Sequence, residues 1–383
     1  MCDGLQVIYD GLKHWKVHVM LHGGDIYRND IVLDFSVNIN PLGRPAEVDE
    51  AIRQAFFAIE NYPDPRHEKL LSALALYAEL PEKSVIAGNG ASELIMAVMR
   101  LFQGRRVFIP APSFSGYKYA AEAAELDISY IYTAGSSEEC YDNENVRLLQ
   151  ALSDHFRGID DEALSGSLLV VTNPNNPDGR LMDEKELSGI LELADKKGIM
   201  VLMDESFIGL TGKEDGCSLK RYVRAGRKGL MVLDSFTKSF ALPGVRLGML
   251  YTADENLKAG LAKLMPEWNI SCFADAAGIE ASKHRDFLIK SAEYISNERK
   301  NFTDEIKNSF ADAGKNVQIF ESAANYILFK SDTELYDKML SHGILIRDCS
   351  DYQGLTGKYY YRAAVRKQED NMVFIEKLRE CLK

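Results

Sequence analysis

The stretch Leu230-Met-Val-Leu-Asp-Ser-Phe-Thr-Lys-Ser-Phe-Ala-Leu-Pro-Gly-Val-Arg-Leu-Gly248 sets an unbroken apolar run, Leu230 to Leu233, against a hydroxyl-rich turn that holds Lys238 between Thr237 and Ser239. An apolar run without polar alternation reads as a strand covered on both faces of its sheet. A lysine just beyond such a strand is badly placed for a hydrated surface charge. It is well placed for an amine that loses its proton and attacks a carbonyl. An exposed loop lysine is the plain alternative, and the rest of the chain has to decide between them.

The same kind of run recurs on both sides of this stretch. Val85 to Gly88, Val107 to Ile109, Ile128 to Tyr132, Ser167 to Thr172, Ile199 to Met203 and Leu247 to Tyr251 read as short buried strands. Between them, Ala91 to Phe102, Tyr117 to Ala124, Glu184 to Lys197 and Leu219 to Ala225 read as helices. Alternating strands and helices predict a large, doubly wound, mainly parallel α/β domain whose ligands lie outside the carboxyl ends of the strands. After about residue 275 the texture changes to a long helix, Leu288 to Phe310, with Ile295, Phe302, Ile306 and Phe310 on one face, followed by short strands and a terminal helix, Asp370 to Leu382. The expected division is residues 1–45 as an N-terminal segment packing with the small domain, 46–275 as the large domain, and 276–383 as a small α+β domain.

Composition narrows the function. With 45 basic against 57 acidic side chains the net charge is -12, which argues against non-specific binding to nucleic acid or to an anionic membrane. An anionic substrate would need locally gathered arginines. Six cysteines without a C-x-x-C pair fit a reducing, cytoplasmic setting. There is no N-terminal apolar core of a signal peptide and no run of about 18 apolar residues, so no membrane span is expected. His14, His18 and His22 fall at helical spacing, but Gly23-Gly24 follows at once and no further ligand stands nearby, so no metal site is expected.

Three more motifs stand at strand ends. Gly88-Asn-Gly-Ala-Ser-Glu93 would offer the free amides of Ala91 and Ser92 to an anion at a helix start, although an ordinary strand-to-helix turn fits it equally. It is not a dinucleotide fingerprint, whose third glycine would fall at Glu93, and the chain has no P-loop. Asn173-Pro-Asn-Asn-Pro-Asp-Gly179 follows the strand Leu168 to Val171 and aims Asn176 at the expected ligand site. Asp204 ends another strand, where a buried carboxylate needs a cationic or proton-donating partner.

Taken together, in order and spacing, these motifs resemble the aminotransferase class I/II family of pyridoxal-phosphate enzymes, of fold type I, from about His22 to the C-terminus. The resemblance implies pyridoxal 5'-phosphate as cofactor. Lys238 would bond it and shuttle protons, Asp204 would pair with its pyridinium nitrogen, and Asn176 would donate to its phenolic oxygen. Gly90, Ala91, Ser92, Ser235, Thr237 and Arg246 would surround its phosphate, and Phe114 would stack on its ring. Tyr62 matches a tyrosine that reaches the neighbouring subunit's cofactor, which implies a homodimer. Phe207 departs from the pattern, because many relatives have there a tyrosine whose hydroxyl binds the phenolic oxygen.

Within the family, His22-Gly-Gly24, Asp34 to Gly43, Ile346 to Tyr352 and Tyr360 to Arg366 resemble the threonine-phosphate decarboxylases. This implies a small O-phosphorylated amino acid as substrate. Arg362 would grip its α-carboxylate, and Arg347, with Arg366, His22 and Asn40, its side-chain phosphate. For Arg366 a surface ion pair is the competing reading. Histidinol-phosphate aminotransferases share the frame and are the rival, although they usually lack an arginine at position 366. A non-catalytic, cofactor-binding regulator would need a DNA-binding extension or a basic patch, and neither is evident.

Overall fold

The computed structural model describes residues 23–133, 148–355 and 357–383. His14, His18 and His22 lie outside them. Among the described residues there are thirteen strands: β1 (Leu33–Asp34), β2 (Val85–Asn89), β3 (Arg106–Ala111), β4 (Asp127–Tyr132), β5 (Leu168–Thr172), β6 (Met200–Asp204), β7 (Leu230–Ser235), β8 (Leu247–Tyr251), β9 (Val317–Ile319), β10 (Tyr326–Ser331), β11 (Ile344–Leu345), β12 (Arg347–Asp348) and β13 (Tyr360–Ala364).

Seven of these form one sheet in the order β2-β8-β7-β6-β5-β3-β4. β8 runs against both its neighbours, and the remaining pairings are parallel. The apolar runs explain why the sheet is covered twice. In β7, Leu230 and Val232 belong to the core on one face, while Met231 and Leu233 belong to the core on the other. β5 and β6 divide their residues in the same way. A strand buried on both faces has no position to spare for a polar side chain until it ends, so Thr172, Asp204 and Ser235 fall at the carboxyl ends of β5, β6 and β7.

The registers line these ends up. Thr172 pairs with Asp204, and Ser235 pairs with Gly248 of the antiparallel β8. Gly248 also faces Gly88 of β2, whose last residue, Asn89, precedes the helix Gly90–Leu101. Gly248 is required here by contact. A Cβ at this position would lie 2.5 Å from the Ala91 nitrogen and 2.6 Å from the Gly90 carbonyl carbon, both backbone atoms that cannot turn aside.

A second unit is built on an antiparallel sheet, β12-β13-β10-β9. The N-terminal segment joins it, because β1 pairs in parallel with β11 and the Ala364 amide donates to the Phe35 carbonyl. Phe35 is fully buried among Phe302, Phe374 and their neighbours. The helix Cys272–Ala281 straddles residue 275, and its Ala274, Ala277 and Ala281 pack in the core of the large sheet. The helix Arg285–Asp312 then passes from one unit to the other: Leu288 and Ile295 belong to the large core, and Phe302, Ile306 and Phe310 to the small one. We therefore draw the divide along this helix rather than at 275. Among the described residues, no helix is long and apolar enough to cross a membrane.

Gly248→Ala is expected to destabilise the fold by about 1–3 kcal/mol, the usual range for overpacking. Gly244→Ala, where a Cβ meets nothing within 4 Å, should be close to neutral. Thermal unfolding of the two variants side by side is the check.

Candidate active site

Between the strand ends of the large sheet and the small antiparallel sheet lies a cleft of about 240 Å³. Its walls bring together Ala91, Ser92, Phe114, Asn176, Asp204, Ser235, Thr237, Lys238, Arg246, Arg347 and Arg362, all singled out from the sequence. Among the described residues that line it, four are basic (Lys238, Arg246, Arg347 and Arg362) and one, Asp204, is a carboxylate.

Lys238 sits on the one-turn helix Phe236–Ser239, which starts where β7 ends and is capped by Ser235, whose Oγ accepts from the Thr237 amide at 3.2 Å. No hydrogen bond among the described residues holds its Nζ, which lies over the Phe207 ring, 5.9 Å from its centre. Burial first, then the nearby charges of Arg362 and Arg246, push the amine down to about 8, while Asp204 pulls the other way. On the order of a tenth of the amine is therefore neutral at pH 7, far more than for an ordinary lysine.

Asp204 is buried at the end of β6. Its Oδ1 accepts from the Ser206 amide at 2.9 Å and from the Ser206 hydroxyl at 2.6 Å, and its Oδ2 accepts from Tyr117 Oη at 2.7 Å. Tyr117 Oη also lies 2.9 Å from Thr172 Oγ1. These three donors offset the cost of burying the carboxylate, so its depth alone does not demand a cation. Burial and the adjacent Asp204 charge hold the Tyr117 phenol well above its usual range, so it stays a donor.

At the other wall, the helix Gly90–Leu101 opens with no side-chain cap on its first amides. Gly90 has φ +74°, and a Cβ there would meet Arg246 Nη2 at 2.4 Å. Arg246 itself has φ +65°, unusual for a residue with a side chain, a cost borne where the guanidinium packs against the Gly90 backbone. Two glycines, 90 and 248, thus let the Arg246 guanidinium and the β8 backbone close up on the uncapped helix start, where Ala91, Ser92 and Arg246 line the cleft.

Arg362 projects from β13 and is buried. It donates through Nη1 to Asn176 Oδ1 and through Nη2 to the Ser36 carbonyl at 2.8 Å. Its buried Nε has no partner among the described residues. Because guanidinium can only donate, it fixes the Asn176 amide with oxygen toward Arg362 and leaves Nδ2 as the available donor.

Several expectations meet a different geometry. Asn40 does not line the cleft: its backbone amide donates to the Lys238 carbonyl at 3.1 Å, and its Nδ2 to the Ser239 carbonyl and Ser291 Oγ at 2.8 Å each. It braces the lysine from behind. Asn38, two residues earlier, lines the cleft instead, with a buried Oδ1 that has no partner among the described residues. Arg366 is likewise not brought to the cleft. It donates to Asp370 and to the Asp34 carbonyl at 2.9 Å each and lies over the Phe35 ring, tying the N-terminal segment to the terminal helix. His22 lies outside the described residues, although its neighbour Gly23 lines the cleft. Tyr62 is 82% exposed and does not line the cleft; its ring lies against Trp268. Tyr117, Thr172, Ser206 and Tyr352 escaped the reading of the sequence. Tyr117 alone carried a signal, standing three residues past Phe114 on a predicted helix.

Strand ends here converge on a neutralisable amine, an uncapped helix start and three arginines. The chain belongs to the aminotransferase class I and II family, whose model matches residues 30–378. The threonine-phosphate decarboxylase of Salmonella typhimurium is 30% identical over 376 residues, covering 94% of this chain and 96% of that protein. A protein of Caldanaerobacter subterraneus, whose name assigns the same activity provisionally, is 32% identical over 363 residues, covering 94% and 93%. Among solved structures, the histidinol-phosphate aminotransferase from Clostridium acetobutylicum superposes with a TM-score of 0.78 at 29% identity, covering 92% of this chain and 99% of its own.

The depressed Lys238 pKa has a consequence for stability. Between pH 8 and the ordinary lysine value of 10.5, the unfolded chain holds a proton that the folded chain does not, so the stability contributed by this site rises with pH across that window and the penalty is full below it. Lys238→Met in the cofactor-free protein should therefore be more stable than the parent at pH 7, by roughly 1–3 kcal/mol since the amine still meets cleft solvent, with the gain shrinking toward pH 10. Calorimetry of both proteins at the two pH values tests this. Arg366→Ala should lower the unfolding midpoint while leaving substrate KM within about twofold, the reverse of what a substrate-binding arginine would do.

Proposed function

We propose that this chain is a pyridoxal-phosphate enzyme acting on a small amino acid with a second anionic group, and that its reaction is decarboxylation of an O-phosphorylated amino acid such as L-threonine O-3-phosphate. The observation that carries this reading is the charge of the cleft: four cations and one carboxylate in a protein whose net charge is -12.

The residues present fit the cofactor. The uncapped helix start beside Arg246 suits a phosphate, which Ala91, Ser92, Ser235, Thr237 and Arg246 would hold. Asp204 would face the ring nitrogen, Asn176 Nδ2 the phenolic oxygen and Phe114 the ring, while Lys238 would bond the aldehyde carbon. With Phe207 in place of a hydroxyl donor, more of the tuning falls to Asn176. When bound, the cofactor supplies an electron-withdrawing ring that stabilises the electron pair of whichever Cα bond breaks.

The remaining work falls to the chain. Arg362, with its unused Nε, would hold the α-carboxylate and so orient the bonds at Cα. Arg347 and Asn38 would receive the side-chain phosphate. Lys238 Nζ, titrating at about 8, can both take up and return a proton at Cα, as general acid–base catalysis requires. If the Cα–carboxylate bond breaks, carbon dioxide leaves and Lys238 protonates Cα. If the Cα–H bond breaks, Lys238 receives that proton and transamination follows. The histidinol-phosphate aminotransferase likeness, with its TM-score of 0.78, favours this second reading.

We propose further that the enzyme works as a homodimer. Phe56, Phe57, Ile59 and Tyr62 are exposed within seven residues, with Trp268 against Tyr62, an apolar patch that a second copy would cover. The described cysteines are all free, in keeping with a reducing cytoplasmic setting; neither nucleic acid nor membrane figures among the partners.

Incubation with O-phosphothreonine, O-phosphoserine and histidinol phosphate, each with and without a 2-keto acid, separates the reactions. Carbon dioxide released without a keto acid selects decarboxylation; amino-group loss that requires one selects transamination. Lys238→Ala should abolish turnover and the visible absorbance of the bound cofactor, and retention of both would overturn the assignment. Arg362→Lys should raise KM by about 10- to 100-fold, the loss expected of a charge-assisted forked bond.

A further inference from the structure

The three arginines of the cleft are not equivalent. Arg362 spends its recorded hydrogen bonds on a neutral amide and a carbonyl, and Arg246 donates to the Pro243 carbonyl. Arg347 alone among them is met by a carboxylate. Its Nη2 donates to both oxygens of Asp351 at 2.9 Å each, its Nη1 donates to the Asp348 carbonyl, and its guanidinium lies 5.3 Å from the centre of the Tyr352 ring. Arg347 is buried, whereas the Asp351 side chain is 54% exposed. A cation that faces the cleft is thus occupied, at both terminal nitrogens, by its own loop.

That loop is fastened on the far side of Asp351. Tyr352 and Leu355 are buried, and Gln353 donates to Tyr132 Oη. Gly354, with φ +88°, packs so closely that a Cβ would lie 2.9 Å from the Ala111 carbonyl carbon. The backbone is therefore held while the Asp351 side chain, already half in water, is free to rotate outward at small cost.

Resting on the reading of the cleft as a site for a doubly anionic amino acid, we propose that Asp351 is an internal counter-anion that competes with the substrate's second anion for Arg347 and so sets the charge selectivity of the enzyme. A phosphomonoester brings nearly two charges and three acceptor oxygens at neutral pH, and can displace a carboxylate that brings one charge and two. A carboxylate tail exchanges like for like and gains little. An uncharged tail leaves the Arg347–Asp351 pair closed.

The test compares the wild-type holoenzyme with Asp351→Asn, Asp351→Ala and Asp351→Glu, reading inhibition by inorganic phosphate and kcat/KM for O-phosphothreonine against glutamate. The Ala variant, which cannot accept from Arg347, should tighten phosphate inhibition by about three- to tenfold and narrow the preference for the phosphorylated substrate by a similar factor. Asn should move both in the same direction, and Glu should restore wild-type values. Because position 351 is half exposed, unfolding midpoints are expected to stay together, and Ala and Asn serve as independent variants should one fold poorly. If the wild type prefers the phosphorylated substrate but phosphate inhibition in Ala and Asn is unchanged or weaker, the counter-anion is refuted and the reading of the cleft stands. If the wild type shows no preference for a phosphoryl ligand, that reading fails and the counter-anion with it.

Discussion

The guanidinium of Arg362 joins three parts of the molecule at one point. It leaves β13 of the small sheet, donates to Asn176 in the loop after β5 of the large sheet, and donates to the Ser36 carbonyl of the N-terminal segment. Those partners are 186 and 326 residues away in sequence. The cleft exists only while the two units and the N-terminal segment keep this arrangement, so the residue proposed to hold substrate also holds its surroundings. A buried cation with forked donors suits both tasks, since it is satisfied by neutral acceptors and retains further N–H groups for a ligand.

Behind the lysine a second charged layer supports the strand ends from the opposite side. Asp234 Oδ1 accepts from the Ser235 amide at 2.7 Å, and its Oδ2 accepts from Lys220 Nζ at 2.7 Å. Lys220 also reaches Glu214 at 2.8 Å, and Glu205 is held by Ser218 Oγ and the Leu219 amide at 2.6 Å each. Burial lowers and Asp234 and Glu214 raise the Lys220 amine, which stays charged; burial pushes Glu205 up to about 8. Removing either partner of the Lys220–Asp234 pair would strand a buried charge, the costly failure of such pairs. The end of β7, and with it the capping serine of the lysine helix, is thereby fixed from below as well as from the cleft.

Much of this was legible in the sequence because it rests on local pattern. Apolar runs mark strands buried on both faces, and the polar residue that ends each run, such as Asp204, is delivered to the ligand edge by the fold itself. The helix start at Gly90, Ala91 and Ser92, and Lys238, follow from the same logic. What escaped depends on distant pairings. Tyr117 meets Asp204 across 87 residues; its place on the helix after Phe114 was readable, but its pairing with Asp204 was not. The Asn38-Ile-Asn40 step shows a finer limit: both asparagines are buried, yet one faces the cleft and the other bonds the lysine's own backbone, a distinction set by the path of the N-terminal segment. Arg366 misled for a related reason. Its expected place in the site rests on resemblance, with a surface ion pair as the competing reading; β13 ends at Ala364 and a helix begins at Gln368, and Arg366 meets Asp370 on that helix.

The gathered cations raise a problem that the arrangement itself resolves. Lys238 is useful as an acid and base because burial and neighbouring arginines lower its pKa, yet a dianionic phosphate brought close by would raise it again. In the proposed reading, Arg246 and the uncapped amides of the Gly90–Leu101 helix offset that charge where it sits, so the amine keeps its working range once the cleft is loaded. Asp204, already bonded to two hydroxyls and an amide, does not need Lys238 as a partner and leaves the amine neutralisable. In that reading the group that changes protonation state, Lys238 Nζ, is left without a hydrogen bond among the described residues and so is free to do so.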